Sequence, residues 1–175
     1  MARCKGVHIY LIGLPGVGKT TLGAAAAPIL KLPFYDLDDI IEKTTGKSIS
    51  QLFVEGGEGH FRAIESEQLA ALSACAPGIV STGGGTPLAD ENAAILRTGL
   101  VVLIDRPLVH VASDISRDNR PLLQNDEGAI TRLFHERRER YLSFCDIHIV
   151  NDRTALEGFA LLLNELRRSL EKWGD

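Results

Sequence analysis

Residues Gly13-Leu14-Pro15-Gly16-Val17-Gly18-Lys19-Thr20 decide how the rest of this chain is read. Their spacing, G-x-x-x-x-G-K-[ST], is that of a phosphate-binding loop, and each part has a physical task. The glycines Gly13, Gly16 and Gly18, with Val17 between them, let successive backbone N–H groups turn towards one point. A helix that starts there adds its positive dipole end. Lys19 brings a mobile charge for the β- and γ-phosphates of a nucleotide, and the Thr20 hydroxyl is a hard oxygen ligand suited to Mg²⁺. The flanks separate this loop from an accidental glycine-rich turn. Val7–Ile12 is apolar and β-branched, as a strand requires, and Thr21–Ala27 is helix-forming.

Working outward, the chain has 175 residues, 45% hydrophobic and 24% charged, which suits one domain, 1–175, with a buried core. A net charge of −4 gives no whole-chain attraction to nucleic acid or to anionic lipid. No apolar run is long enough to cross a membrane. Met1-Ala2-Arg3-Cys4-Lys5 leads into a strand without the apolar stretch of a signal peptide. Three widely spaced cysteines, Cys4, Cys75 and Cys145, form neither a disulfide framework nor a zinc pattern. The expectation is a reducing cytoplasm, with Cys75 and Cys145 as small apolar fillers. His8, His60, His110, His135 and His148 lack metal-ligand spacing and are expected to be structural or exposed. Lysine is absent between Lys47 and Lys172, so the middle of the chain relies on arginine, whose planar fork suits carboxylate and phosphate.

Four further strand candidates follow the first: Pro33–Tyr35, ending at Asp36; Gly78–Ser81, ending in Gly83-Gly84-Gly85; Leu100–Ile104; and Asp146–Val150. Helical segments between them predict an α/β fold with a five-stranded parallel sheet covered on both faces. Asp38 to about Ala76 is long and helical, with a capping box at Ser48–Gln51. Asp114–Asp126 is polar and reads as a mobile loop between two helices. In such a sheet, ligands bind beyond the carboxyl ends of the strands, where the phosphate loop, Asp36/Asp38, the triple glycine and Asn151-Asp152-Arg153 all fall.

These residues leave alternatives open. In an extended segment Asp36 and Asp38 point the same way, so one could support a metal through water and the other accept a substrate hydroxyl. Asp38 and Asp39 are equally good helix caps. Glu58, Arg62 and Glu65 are spaced as an exposed ion-pair ladder, or as an Arg held by Glu65 and aimed at an anion. Gly83, Gly84 and Gly85 imply close approach of a ligand or backbone, or a flexible turn. Arg137, on a highly charged helix, has a solvated face as its ordinary explanation.

The ordered set resembles the shikimate kinase family, small relatives of the nucleoside monophosphate kinases. The matching pieces are Gly13–Thr20, Phe34–Glu42, Gly46–Ile49, Phe53–Glu58, Phe61–Glu65, Thr82–Gly85, Arg120–Leu123, and Arg137 four residues before Tyr141. The resemblance implies a three-layer phosphate-loop kinase with a helical substrate-binding insertion over about 37–66 and a lid over about 113–126. Gly13, Gly16, Val17, Gly18, Lys19, Thr20 and Thr21 would hold ATP. Thr20 and Asp36 would serve Mg²⁺. Asp38 would meet the shikimate hydroxyl, Arg62 and Arg137 its carboxylate, and Gly83, Gly84 and Gly85 its ring. Lys19, Asp38 and Arg120 would be catalytic, with Arg120 reaching the phosphates from the lid, and Arg117 and Arg153 would flank adenine. The family implies a cytoplasmic enzyme acting on shikimate and ATP, with no nucleic-acid or membrane partner, expected as a monomer. Asp105 departs from the uncharged or basic residue usual there, and the lid diverges before Arg120. A kinase of gluconate or a nucleoside monophosphate would keep the loop without needing Arg62, Arg137 and the triple glycine together. A catalytically silent nucleotide-binding domain would be expected to lack Lys19, Asp38 or Arg120.

Overall fold

A computed structural model of the chain describes residues 6–114, 128–152 and 154–172. In it the glycine loop joins β1 (Ile9–Ile12) to α1 (Lys19–Leu30). β1 is the central strand of a parallel sheet with order β2-β3-β1-β4-β5. The others are β2 (Phe34–Asp36), β3 (Ile79–Ser81), β4 (Leu100–Asp105) and β5 (Ile147–Val150). All four residues of β1 and all three of β3 are buried, as strands covered on both faces must be, whereas β2 and β5 at the edges are partly exposed.

The chain leaves β1 towards one edge through α1 and leaves β3 towards the other through α4 (Asp90–Leu96). Right-handed crossovers in opposite directions put those helices on opposite faces. α7 (Ala155–Lys172) packs beside α1, and α6 (Ala129–Phe144) packs against β4. The divergence opens a crevice between the carboxyl ends of β1 and β3. Leu11, Ser81 and Asp36 stand level there in register.

Between β2 and β3 the chain forms α2 (Leu37–Thr45) and α3 (Ile49–Ser73), the long helical stretch expected from Asp38 to about Ala76. Ser48 and Gln51 make the predicted capping box, each side chain accepting from the other's backbone N–H, at 3.2 and 2.8 Å. Gly57, at φ 72° and ψ −175°, breaks α3 and restarts it, which sets Glu58, Arg62 and Glu65 on a fresh helical segment. A short 3₁₀ turn, Thr86–Leu88, follows the triple glycine. α5 (Leu108–Asp114) and α6 flank the stretch expected as a lid; apart from its first residues, that stretch lies outside the described residues.

Two sequence expectations are corrected. Cys75 is exposed just after α3 and is no core filler, whereas Cys145 is half-buried against the core. Asp36 and Asp38 do not share an extended segment, because the helix begins at Leu37.

His8 is structural, as expected. It is 6% exposed, and its Nδ1 accepts from the Gly78 N–H at 3.3 Å. Burial lowers its pKa below the ordinary 6.5, with hydrogen bonds from nearby backbone acting the other way. The unfolded chain therefore takes up a proton that the fold resists. His8's contribution to stability is complete above about pH 6.5 and is lost as pH falls from there through the folded value. His8→Gln, which cannot titrate, should show a shallower fall in melting temperature than wild type between about pH 7 and about pH 5. Parallel slopes would refute this.

Candidate active site

The phosphate loop is built on glycine geometry. Gly13, Gly16 and Gly18 take φ of 138°, 80° and 100°, in the region that favours glycine. A Cβ on Gly13 would lie 2.2 Å from the Ile104 carbonyl oxygen, so the loop can pass over β4 only without a side chain. Val17 is fully buried and anchors the loop apex. Its carbonyl accepts from Asn151 Nδ2 at 3.0 Å, which ties the loop to the end of β5. Lys19 is 8% exposed and arches back over the loop, its ammonium donating to the carbonyls of Gly13 (2.9 Å) and Leu14 (2.8 Å). Thr21 is exposed on the rim and helps to line the cleft.

Beside the loop, the Thr20 hydroxyl donates to Asp36 Oδ2 at 2.7 Å and lies 3.0 Å from Ser81 Oγ. Three hard oxygen groups therefore meet where the level ends of β2 and β3 face the start of α1, a donor set of the kind Mg²⁺ takes with retained waters. Ser81 escaped the sequence reading. Its signal was its place as the last residue of the strand before the triple glycine. The other oxygen of Asp36 accepts the N–H groups of Asp38 (3.1 Å) and Asp39 (3.4 Å), so Asp36 is the cap of α2. The carboxylate of Asp38 is thus not used as the cap. It lines the cleft with Lys19, Thr20, Gly83 and Gly84.

The triple glycine is explained by what presses on it. A Cβ on Gly83 would lie 2.4 Å from Glu65 Oε1 and 3.4 Å from Asp38 Oδ1. One on Gly84 would lie 2.9 Å from Pro15, and one on Gly85 2.3 Å from the Arg62 guanidinium. None of the three has positive φ, so close approach rather than a freely flexible turn is their reason. Side chains of this chain are what approach.

Arg62 is not a surface ladder residue. Its Nη1 donates to the fully buried Glu65 at 2.8 Å, and its Nη2 and Nε donate to the half-exposed Glu58 at 3.1 and 3.3 Å. Burial works to lower the Arg62 pKa, but the Glu65 and Glu58 carboxylates outweigh it and raise the value, so the cation is secure. Arg137 is 6% exposed, which overturns the solvated-face explanation. It hydrogen-bonds the Tyr141 phenol, whose hydroxyl in turn donates to the Gly84 carbonyl. Burial raises the Tyr141 pKa; the Arg137 and Arg62 cations oppose it. Tyr141 therefore marks the point where both arginines and the glycine segment come together. Asp105, unexplained by sequence, pairs with His148 Nε2 at 3.2 Å between β4 and β5. Arg117, Arg120 and Arg153 lie outside the described residues. A phosphate cradle on one side of the cleft, a carboxylate within it and two cations beyond, one buried (Arg137) and one half-buried (Arg62), define a phosphate-loop kinase for a small anionic acceptor.

The chain belongs to the shikimate kinase family: a family profile described as shikimate kinase matches residues 15–167. It is an ATP-dependent enzyme with that family's activity, phosphorylation of shikimate. The chain is 44% identical over 147 residues to a shikimate kinase of Clostridium botulinum (strain Eklund 17B / Type B), covering 83% of this chain and 88% of the relative. A shikimate kinase of Nostoc punctiforme is also 44% identical, over 148 residues covering 83% and 81%. Among solved structures, shikimate kinase from Acinetobacter baumannii in complex with shikimate superposes with a TM-score of 0.89 at 32% identity, covering 96% of this chain and 95% of that one. Shikimate kinase from Aquifex aeolicus superposes with a TM-score of 0.80 at 35% identity, covering 92% and 96%.

Proposed function

We propose that the described residues divide the transfer of the ATP γ-phosphoryl to the 3-hydroxyl of shikimate as follows. The loop N–H groups and Lys19 hold the phosphates, and Lys19 leaves its carbonyl partners to reach them. Thr20, Asp36 and Ser81 are the groups that would hold Mg²⁺, which when bound neutralises phosphate charge. Asp38 orients the acceptor hydroxyl and takes its proton late, since phosphoryl transfer passes through a loose transition state in which positioning and charge dominate. Arg62 and Arg137 grip the acceptor carboxylate from two helices, as a fixed pose requires, while Gly83, Gly84 and Gly85 bring backbone close to its ring. Arg120 completes the phosphate side, and Arg117 and Arg153 flank adenine; these three enter on family resemblance alone. The enzyme is proposed to work as a single-domain monomer in the cytoplasm. Among the described residues no helix is long and apolar enough to cross a membrane.

The observation that carries this division is the meeting of Arg62, Glu65, Arg137 and Gly84 around Tyr141, beside a cleft lined by Lys19 and Asp38. Gluconate also carries a carboxylate and AMP a phosphate, so family membership favours shikimate and direct comparison of the three acceptors decides. Coupled ADP release should therefore depend on shikimate and stay at background with gluconate or AMP. Equal release without shikimate, or with either substitute, would overturn the acceptor assignment.

A further inference from the structure

Behind Arg62 runs a buried polar chain that the chemistry above does not use. Asn92 Nδ2 donates to the Thr86 carbonyl at 3.0 Å, and Thr86 Oγ1 donates to Glu65 Oε1 at 2.7 Å. Glu65 Oε2 then receives Arg62 Nη1 at 2.8 Å. Asn92, Thr86 and Glu65 are each fully buried. A buried carboxylate needs partners on both oxygens. Arg62 serves one oxygen, and Thr86 serves the other in the space left by Gly83. The 3₁₀ turn carrying Thr86 is itself pinned, because Arg140 Nε donates to the Pro87 carbonyl at 3.1 Å.

We propose that Thr86 is a positioning residue for the acceptor site. By fixing the Glu65 carboxylate, it fixes the direction in which Arg62 points. Three of the five guanidinium N–H groups of Arg62 are engaged by Glu58 and Glu65, and two remain for an acceptor. If Glu65 turns, the free pair turns with it. The proposal rests on Arg62 gripping the acceptor carboxylate.

Thr86→Val keeps the shape and removes the donor. It should raise the KM for shikimate about three- to tenfold, the cost of one lost hydrogen bond, with the KM for ATP unchanged. Thr86→Ser should restore it. In a Glu65→Ala background, which removes the acceptor, Thr86→Val should add no further loss, because the threonine acts through that carboxylate. An unchanged shikimate KM in Thr86→Val overturns the proposal. So does an equal rise in both KM values, failure of Thr86→Ser to rescue, or fully additive losses in the double variant. Should Thr86→Val not fold, the Thr86→Ser and Thr86→Ala pair decides the same question. An unchanged shikimate KM in Arg62→Ala would instead overturn the assignment of Arg62 beneath it.

Discussion

Asp38→Asn is expected to cut turnover by roughly 10²–10⁴, the range for a lost acid–base group, while ATP binding stays near wild type. The amide keeps the size of the carboxylate but cannot accept a proton from the acceptor hydroxyl. Asp36 caps α2 through its own Oδ1, so the Asp38 side chain is not spent on the helix end and faces the cleft. Asp38 does lie in the first turn of α2, where losing a negative charge costs about 0.3–1 kcal/mol. The variant should therefore fold. Turnover measured beside a calorimetric ATP titration separates the roles, and a fall of less than tenfold would leave Asp38 a helix-end charge only.

Arg137→Lys should weaken shikimate binding by roughly 1.5–3 kcal/mol, the worth of a hydrogen bond to a charged group, and leave ATP affinity almost untouched. Lysine keeps the positive charge and loses the planar fork. Under the division proposed above the fork has two duties, because Arg137 interacts with Tyr141 and would hold the acceptor as well. A single ammonium cannot hold both directions at once. Calorimetry with each ligand alone tests this. Wild-type affinity for shikimate in the variant would show that the acceptor is held elsewhere.

The fold was legible because its signals are local. A loop of eight residues fixed the strand before it and the helix after it, and apolar runs separated by helices fixed the parallel sheet. What escaped the sequence depended on distance in space. Asp36 looked like a partner of Asp38 in an extended pair, but the chain turned helical one residue early and made it a cap. Arg137 looked solvated because its neighbours are charged, yet helix packing buried that one position while Arg138 and Glu139 stayed exposed. Ser81 and Thr86 carry no spacing signal. Their importance arises from strand register and from a contact between α3 and a turn about twenty residues later. Cys75 differs for the opposite reason: a small apolar residue type suggests burial, but α3 ends two residues before it and leaves it exposed.

Asp36 stands in two places at once. One of its oxygens starts the helix that presents Asp38, and the other holds the hydroxyl that opens α1. Under the division proposed above, Asp36 is a joint between the donor-side and acceptor-side halves of the reaction. Whatever draws Oδ2 of Asp36 away from Thr20 acts also on the first turn of α2, and an acceptor that stiffens α2 acts back on Thr20. Such linkage is reciprocal by thermodynamic necessity. The two substrates of this enzyme should therefore sense each other's presence through this carboxylate as well as across the phosphoryl they exchange.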